Sequence, residues 1–257
     1  MDQFALAICY YEATGVPMSN RFVEKLRGFA LLGEDDVALL EQATARSRCV
    51  SARQDLIREG DPPGPVFVML EGWGCRYKLL PDGTRQIMAF LMPGDSCDIH
   101  AGVLAEMDHS IQTLTPARVA LIERAEIERL IEERPRIARA LWATQLVDEG
   151  TLRAWIVSMG RRSSIARVAH LMCELYLRAR NIGLVTGNEF ELPITQIVLA
   201  DALGLTPVHV NRVIRKLRQT GVMELHERSL LILDPARLAE IAGFDEGYLH
   251  RRLSNAA

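Results

Sequence analysis

The sequence predicts an α+β chain in three parts: a small antiparallel β-roll, one long helix, and a C-terminal winged helix-turn-helix. Three observations carry this. Short apolar runs broken by Gly/Pro/Asp turns fill residues 49–122. Residues Arg136 to Met159 follow without proline and with the single glycine Gly150. The run Leu192–Gly221, LPITQIVLADALGLTPVHVNRVIRKLRQTG, then carries two helix-start signals around a glycine.

In chain order, residues 1–20 form a lead-in with helical tendency, and Arg21–Arg27 and Asp35–Ala45 read as helices. Strands are expected from Cys49, at Asp55–Arg58, Val66–Leu70, Cys75–Leu80, Arg85–Leu91, Ser110–Thr115 and Arg118–Ile122. Pro81-Asp82-Gly83 supplies a hairpin turn between two of them. This pattern suits a jelly roll or β-roll.

After a short helix at Ala125–Glu133, Pro135 opens the long one, whose 24 residues would span roughly 36 Å at 1.5 Å each. Ile137, Leu141, Thr144, Asp148, Thr151, Trp155 and Ser158 recur at alternating four and three spacing, a seam that a second copy could cover. The alternative is a connecting helix buried in its own chain. Gly160-Arg161-Arg162 reads as a hinge before a helix at Ser164–Arg180.

In the central motif Thr195 is placed to cap a first helix, and Gly204 sits where that helix must stop. Thr206-Pro207 starts the next, since a threonine hydroxyl accepts from orphan amides and proline at the first position loses no needed donor. Val210, Val213, Ile214 and Leu217 share its inner face. Val208, His209, Asn211, Arg212, Arg215 and Lys216 share the outer one. An ordinary helical hairpin with a solvated face is the plainer reading; the capped tight turn and cationic second helix favour a helix-turn-helix that binds DNA. Val222–Leu225 and Leu230–Leu233 around a polar turn read as its two-stranded wing. The tail from Pro235 is expected to be a helix packed on that wing.

Net charge is −3, but unevenly placed. Residues 161–257 hold 13 Lys/Arg against 10 Asp/Glu, and the remainder 17 against 23, as suits a basic module joined to an acidic one. Cys9, Cys49, Cys75, Cys97 and Cys173 are scattered with no C-x-x-C, which argues against a disulfide framework or zinc knuckle. The opening MDQFALAICYYEATG does not read as a signal peptide and no run is long enough for a membrane span, so a cytoplasmic location is expected.

The run LPITQ…LADALGLTPVHVNRVIRKLRQTGV resembles the DNA-binding domain of the Crp/Fnr superfamily of bacterial transcription regulators, and the likeness extends from about Phe22 to Leu233. The order REGD…LEGW…PDG…MPGD is similar to that family's cyclic-nucleotide-binding-like effector domain. The resemblance implies a lead-in over 1–20, a sensory β-roll over 21–134, a dimer helix over 135–160 and a winged helix-turn-helix over 161–257. It implies a homodimer on palindromic double-stranded DNA, with RNA polymerase as a further partner.

On this reading Arg212 matches the family's base-reading arginine. Valine at 208 replaces a frequent glutamate, so a thymine methyl is the contact left to it. Asn211 is expected to reach adenine or a phosphate, and His209 a phosphate. Thr195, Gln196, Thr206, Arg215, Lys216 and Arg218 are expected on the DNA backbone.

Cyclic-nucleotide-binding members use a Gly-Glu pair for ribose and an Arg-Ser/Thr pair for phosphate. Here Ser96-Cys97-Asp98-Ile99-His100 follows the Pro93-Gly94-Asp95 turn, and Met107-Asp108 or His109-Ser110 stands where the arginine belongs. Cyclic AMP is therefore not expected, and the clustered cysteines of iron–sulfur members are absent. Asp98, His100, His109 and Ser110 are the candidate effector-pocket residues. The segment Gly94–Gly102 is similar to that of the carbon-monoxide-sensing haem regulators of the superfamily, whose axial histidine matches His100, but Asp98 replaces their cysteine. The expectation is no bound cofactor, with haem or a metal at His100 as the alternative. A cupin-like enzyme centre from Cys97, Asp98, His100 and His109 is more remote, because an enzyme has no use for Thr206–Arg218. A plain interaction module would require a degenerate helix-turn-helix.

Overall fold

A computed structural model describes residues 20–250, so the lead-in before Asn20 and the last seven residues lie outside the described residues. The chain divides into two compact units. One comprises residues 20–78 with Ala89–Gln145, and the other comprises Leu79–Met88 with residues 146–250.

The first unit opens with helix α1 (Arg21–Arg27), capped by the Asn20 side chain, which accepts from the amides of Phe22 and Val23. Helix α2 (Glu34–Ala43) follows. The strands β1 (Ser47–Val50), β2 (Asp55–Ile57), β3 (Val66–Glu71), β4 (Gly74–Leu79), β5 (Arg85–Leu91), β6 (Ser96–Cys97), β7 (Ser110–Thr113) and β8 (Ala117–Ile122) make two four-stranded sheets. Their orders are β1-β8-β3-β6 and β2-β7-β4-β5. The two residues of β6, paired with Phe67 and Val68, are too few for an alternating pattern to announce.

Strand β3 is apolar from Val66 to Leu70 because both its faces are covered there. Val66, Val68 and Leu70 pack with Phe22, Leu26, Ile127 and Ile137 under the helices. Phe67 and Met69 point the other way, with Ile111, Val119 and Leu91 inside the roll. Successive strand side chains point to opposite faces, so a strand between two cores must be apolar at every position. Each such side chain, fully buried, contributes about 1.5–3 kcal/mol.

Helix α3 (Arg124–Glu133) ends before Pro135, which opens helix α4 (Pro135–Arg161). Here the expected seam is corrected. Ile137, Leu141, Thr144, Thr151, Trp155 and Ser158 are buried against their own chain. The apolar stripe left uncovered is another face of the helix: Trp142, Leu146, Leu152, Ile156 and Met159. Heptad spacing alone does not separate two apolar faces, and the threonines and serine of the expected seam belong to the inward one. The helix also continues through Gly160 to Arg161, so the chain breaks at Arg162–Ser163.

The second unit holds helix α5 (Ser164–Asn181), capped by the Ser163 side chain, then β9 (Glu189–Glu191), α6 (Gln196–Leu203) and α7 (Pro207–Gln219). Strands β10 (Met223–Leu225) and β11 (Ser229–Ile232) pair, and β9 adds on β11, so the wing has three strands rather than two. Helix α8 (Pro235–Ala242) packs along α5, and a 3-10 turn at Glu246–Leu249 follows it. The tail therefore docks on α5 rather than merely on the wing. Phe244 and Tyr248 meet His170 of α5 with ring centroids 5.0 and 5.9 Å away. No single helix among the described residues is long and apolar enough to cross a membrane.

Candidate nucleic-acid interface

The geometry of α6 and α7 follows from their caps. The Thr195 hydroxyl accepts from the amide of Val198 at 3.3 Å, starting α6. Gly204 ends it in the left-handed region, at φ 60° and ψ 41°, where a Cβ would be strained. The Thr206 hydroxyl accepts from the amide of His209 at 3.2 Å, and Pro207 opens α7. The helix axes turn through 100° at this break, within the range of a DNA-binding helix-turn-helix.

Leu199, Ala200, Ala202 and Leu203 of α6 and Val210, Val213, Ile214 and Leu217 of α7 are buried. Facing outward are Thr195, Gln196, Thr206, Val208, Arg212, Arg215 and Lys216, with His209 and Asn211 half-buried. Val208 is 70% exposed. Among the described residues none of Arg212, Arg215 and Lys216 sits in an ion pair with a carboxylate. Their charges face solvent, as an interface for a polyanion requires.

The fold adds supports that the sequence pattern did not reveal. Asn211 Nδ2 donates to Gln196 Oε1 at 3.0 Å, linking two outward residues of α6 and α7. Arg167 of α5 donates to the carbonyls of Leu203 at 2.7 Å and Met159 at 2.9 Å, closing the end of α6. Arg85 pairs with Asp201 of α6 at 2.7 Å within the same unit. Single charged residues in a helix or strand carry no signal of partners 36 or 116 positions away.

The candidate effector residues behave differently. Asp98 has φ 54°, an uncommon conformation for a residue with a side chain, and its carboxylate meets His109 Nε2 at 3.2 Å and Arg76 Nε at 3.5 Å. Burial raises the Asp98 carboxyl, but Arg76, His109 and Arg124 together outweigh it and hold the group below the usual carboxylate range. His109 also meets Asp108 at 2.7 Å; burial pulls its imidazole down, and the two carboxylates more than restore it above its ordinary value. The Ser110 hydroxyl instead accepts from the Glu59 amide at 3.0 Å. His100 lies stacked on Trp142, centroids 4.5 Å apart, with Nε2 buried and without a hydrogen-bond partner. Burial lowers its basicity. The cupin-like set does not converge: among the described residues no three His, Cys, Asp or Glu side chains are placed to hold a metal ion.

Two capped helices at 100° with a cationic outer face, closed by a β-wing, define a winged helix-turn-helix protein. Residues 166–241 match the Crp-like helix-turn-helix domain, and residues 47–134 match the cyclic nucleotide-binding domain. The chain is 31% identical over 220 residues to the nitrogen fixation regulation protein FixK of Bradyrhizobium diazoefficiens, covering 84% of this chain and 91% of that one. It is 28% identical to the transcriptional activator protein FnrL of Cereibacter sphaeroides, over 82% and 86% of the two chains. Among solved structures, FixK2 from Bradyrhizobium japonicum superposes with a TM-score of 0.70 at 25% identity, over 77% of this chain and 98% of that one. The chain belongs to the Crp/Fnr family of DNA-binding transcription regulators.

Proposed function

We propose that this regulator acts as a cytoplasmic homodimer that lays α7 of each copy into the major groove of a palindromic site, and that it is not an enzyme. The observation that carries the reading is the outward cationic face of α7, held by capped helix ends and a buried opposite face. Arg212 pairs with guanine through O6 and N7, and exposed Val208 contacts a thymine methyl. His209, Arg215, Lys216, Thr195, Gln196 and Thr206 hold the phosphate backbone and so fix register. Trp142, Leu146, Leu152, Ile156 and Met159 supply the dimer contact, with half-sites about one helical turn apart. RNA polymerase is the further partner in transcription.

Cyclic AMP does not fit the β-roll. The guanidiniums within reach, Arg76 and Arg124, are directed at the carboxylate and carbonyl of Asp98, and Asp108 adds a second negative charge. Desolvating a phosphate there is unfavourable. A haem- or metal-dependent sensor is a second reading, favoured by the unpartnered Nε2 of His100 and opposed by Trp142 lying on the ring face. Absorbance of the purified protein, with and without added haem, and of His100→Ala separates the two: a haem band that this variant abolishes supports the sensor.

The DNA reading is tested by selecting bound duplexes from a random pool with purified protein. A palindrome is expected. Arg212→Ala should then lose about 1–3 kcal/mol on the best site and flatten one base preference, whereas Lys216→Ala weakens every site alike. Uniform weakening by Arg212→Ala would reject its assignment to a base.

A further inference from the structure

The amide pair Asn211–Gln196 has a consequence for which base is read. An asparagine amide offers one acceptor oxygen and two donor hydrogens. Asn211 spends one hydrogen on Gln196 Oε1 at 3.0 Å. What remains, one carbonyl oxygen and one N–H on the same planar group, is the set that pairs bidentately with adenine, accepting from N6 and donating to N7. The hydrogen bond tethers the Asn211 amide to α6 through Gln196. Gln196 in turn keeps both its N–H donors, free for a phosphate. Gln196 is exposed and Asn211 half-buried, beside the exposed Arg212.

We infer that Gln196 is a positioning residue for specificity: by holding the Asn211 amide it makes Asn211 the reader of an adenine in each half-site. The inference rests on the proposed docking of α7 in the major groove. A free asparagine at this place would turn its amide toward phosphate or base alike; a held one presents a single edge. Freezing the rotamer before binding also removes part of the ordering cost from the complex.

The test uses the full chain and the duplex selected by the wild-type protein, with all four base pairs placed in turn at each half-site position. Wild type should show one position where adenine is preferred over the other bases by about tenfold. Asn211→Ala should abolish that preference alone. Gln196→Ala should reduce it by about threefold to fivefold with other positions unchanged. Gln196→Glu keeps an acceptor oxygen for Asn211, so it should retain the adenine preference while weakening all sites evenly through its added negative charge.

If Gln196→Ala lowers affinity uniformly and leaves the base profile intact, Gln196 is a phosphate contact and the positioning role is overturned. An unchanged profile in Asn211→Ala overturns the adenine assignment. A wild-type protein that selects no sequence at all would overturn the groove-docking reading, and this inference with it. Circular dichroism and thermal melting of each variant, expected to match wild type at these surface positions, separate these results from misfolding.

Discussion

The indole Nε1 of Trp155 donates to Glu174 Oε2 at 3.0 Å, joining α4 to α5 through a carboxyl group with no exposure to solvent. The same oxygen accepts from the hydroxyl of Tyr248 at 3.0 Å, and Arg178 lies 3.5 Å from the other. One buried carboxyl thus ties the long helix, the helix before the DNA-binding motif and the C-terminal tail together. Glu174→Leu should destabilise the protein by about 2–4 kcal/mol, since it removes the acceptor that Trp155 Nε1 and the Tyr248 hydroxyl share. Chemical denaturation measures this, and Glu174→Gln, which keeps an acceptor oxygen, should lose much less.

Burial raises the Glu174 carboxyl above its ordinary value of 4.5, and Arg178, Trp155 and Tyr248 offset this only in part. The folded state therefore favours the protonated form. The stability this group contributes is complete below pH 4.5 and declines as pH rises through the raised value. In Glu174→Gln that decline should vanish; a wild-type and variant difference that stays flat between pH 4.5 and 8 would contradict the assignment.

His170 has the opposite sign. Packed among Phe244 and Tyr248, it is pulled down to about 4 by burial, with the Arg162 charge adding to the effect. Its contribution is present above the unfolded value of 6.5 and is lost as pH falls from 6.5 toward 4, up to about 3 kcal/mol. Melting temperature followed over that window should fall less steeply in His170→Phe, which preserves the aromatic packing without the titration.

Two glycines of the long helix separate close packing from helix propensity. A Cβ on Gly150 would lie 2.7 Å from the carbonyl oxygen of Tyr248, whereas one on Gly160 would meet nothing within 4 Å. Gly150→Ala should destabilise by about 1–3 kcal/mol by pushing the tail off the helix. Gly160→Ala should stabilise by about 0.5–1 kcal/mol, because alanine restricts the unfolded chain more. Paired thermal melts decide both.

Self-association should respond to the outward stripe of α4 and not to the inward one. Ile156 is 72% exposed, so Ile156→Glu leaves the fold intact while placing a charge in the proposed dimer contact. Sedimentation should show a shift toward monomer, with a parallel loss of affinity for a palindromic duplex and less loss for a single half-site.

The sequence by itself determined what is local. Thr195, Gly204, Thr206 and Pro207 act within a few residues of their own backbone, so the caps, the turn between α6 and α7 and the inner face of Val210, Val213, Ile214 and Leu217 were all legible. The β-roll was legible for a similar reason, as alternation and turn residues operate over single hairpins. Only the tertiary structure decided which face of α4 turns inward, because two apolar stripes share one helical period and Thr144, Thr151 and Ser158, polar by sequence, are buried. It also decided the third wing strand, the docking of the tail on α5, and the pairing of Asn211 with Gln196. These depend on contacts between residues far apart in the chain, and a side chain's own identity says what it can bond to but not which partner the fold will bring within reach.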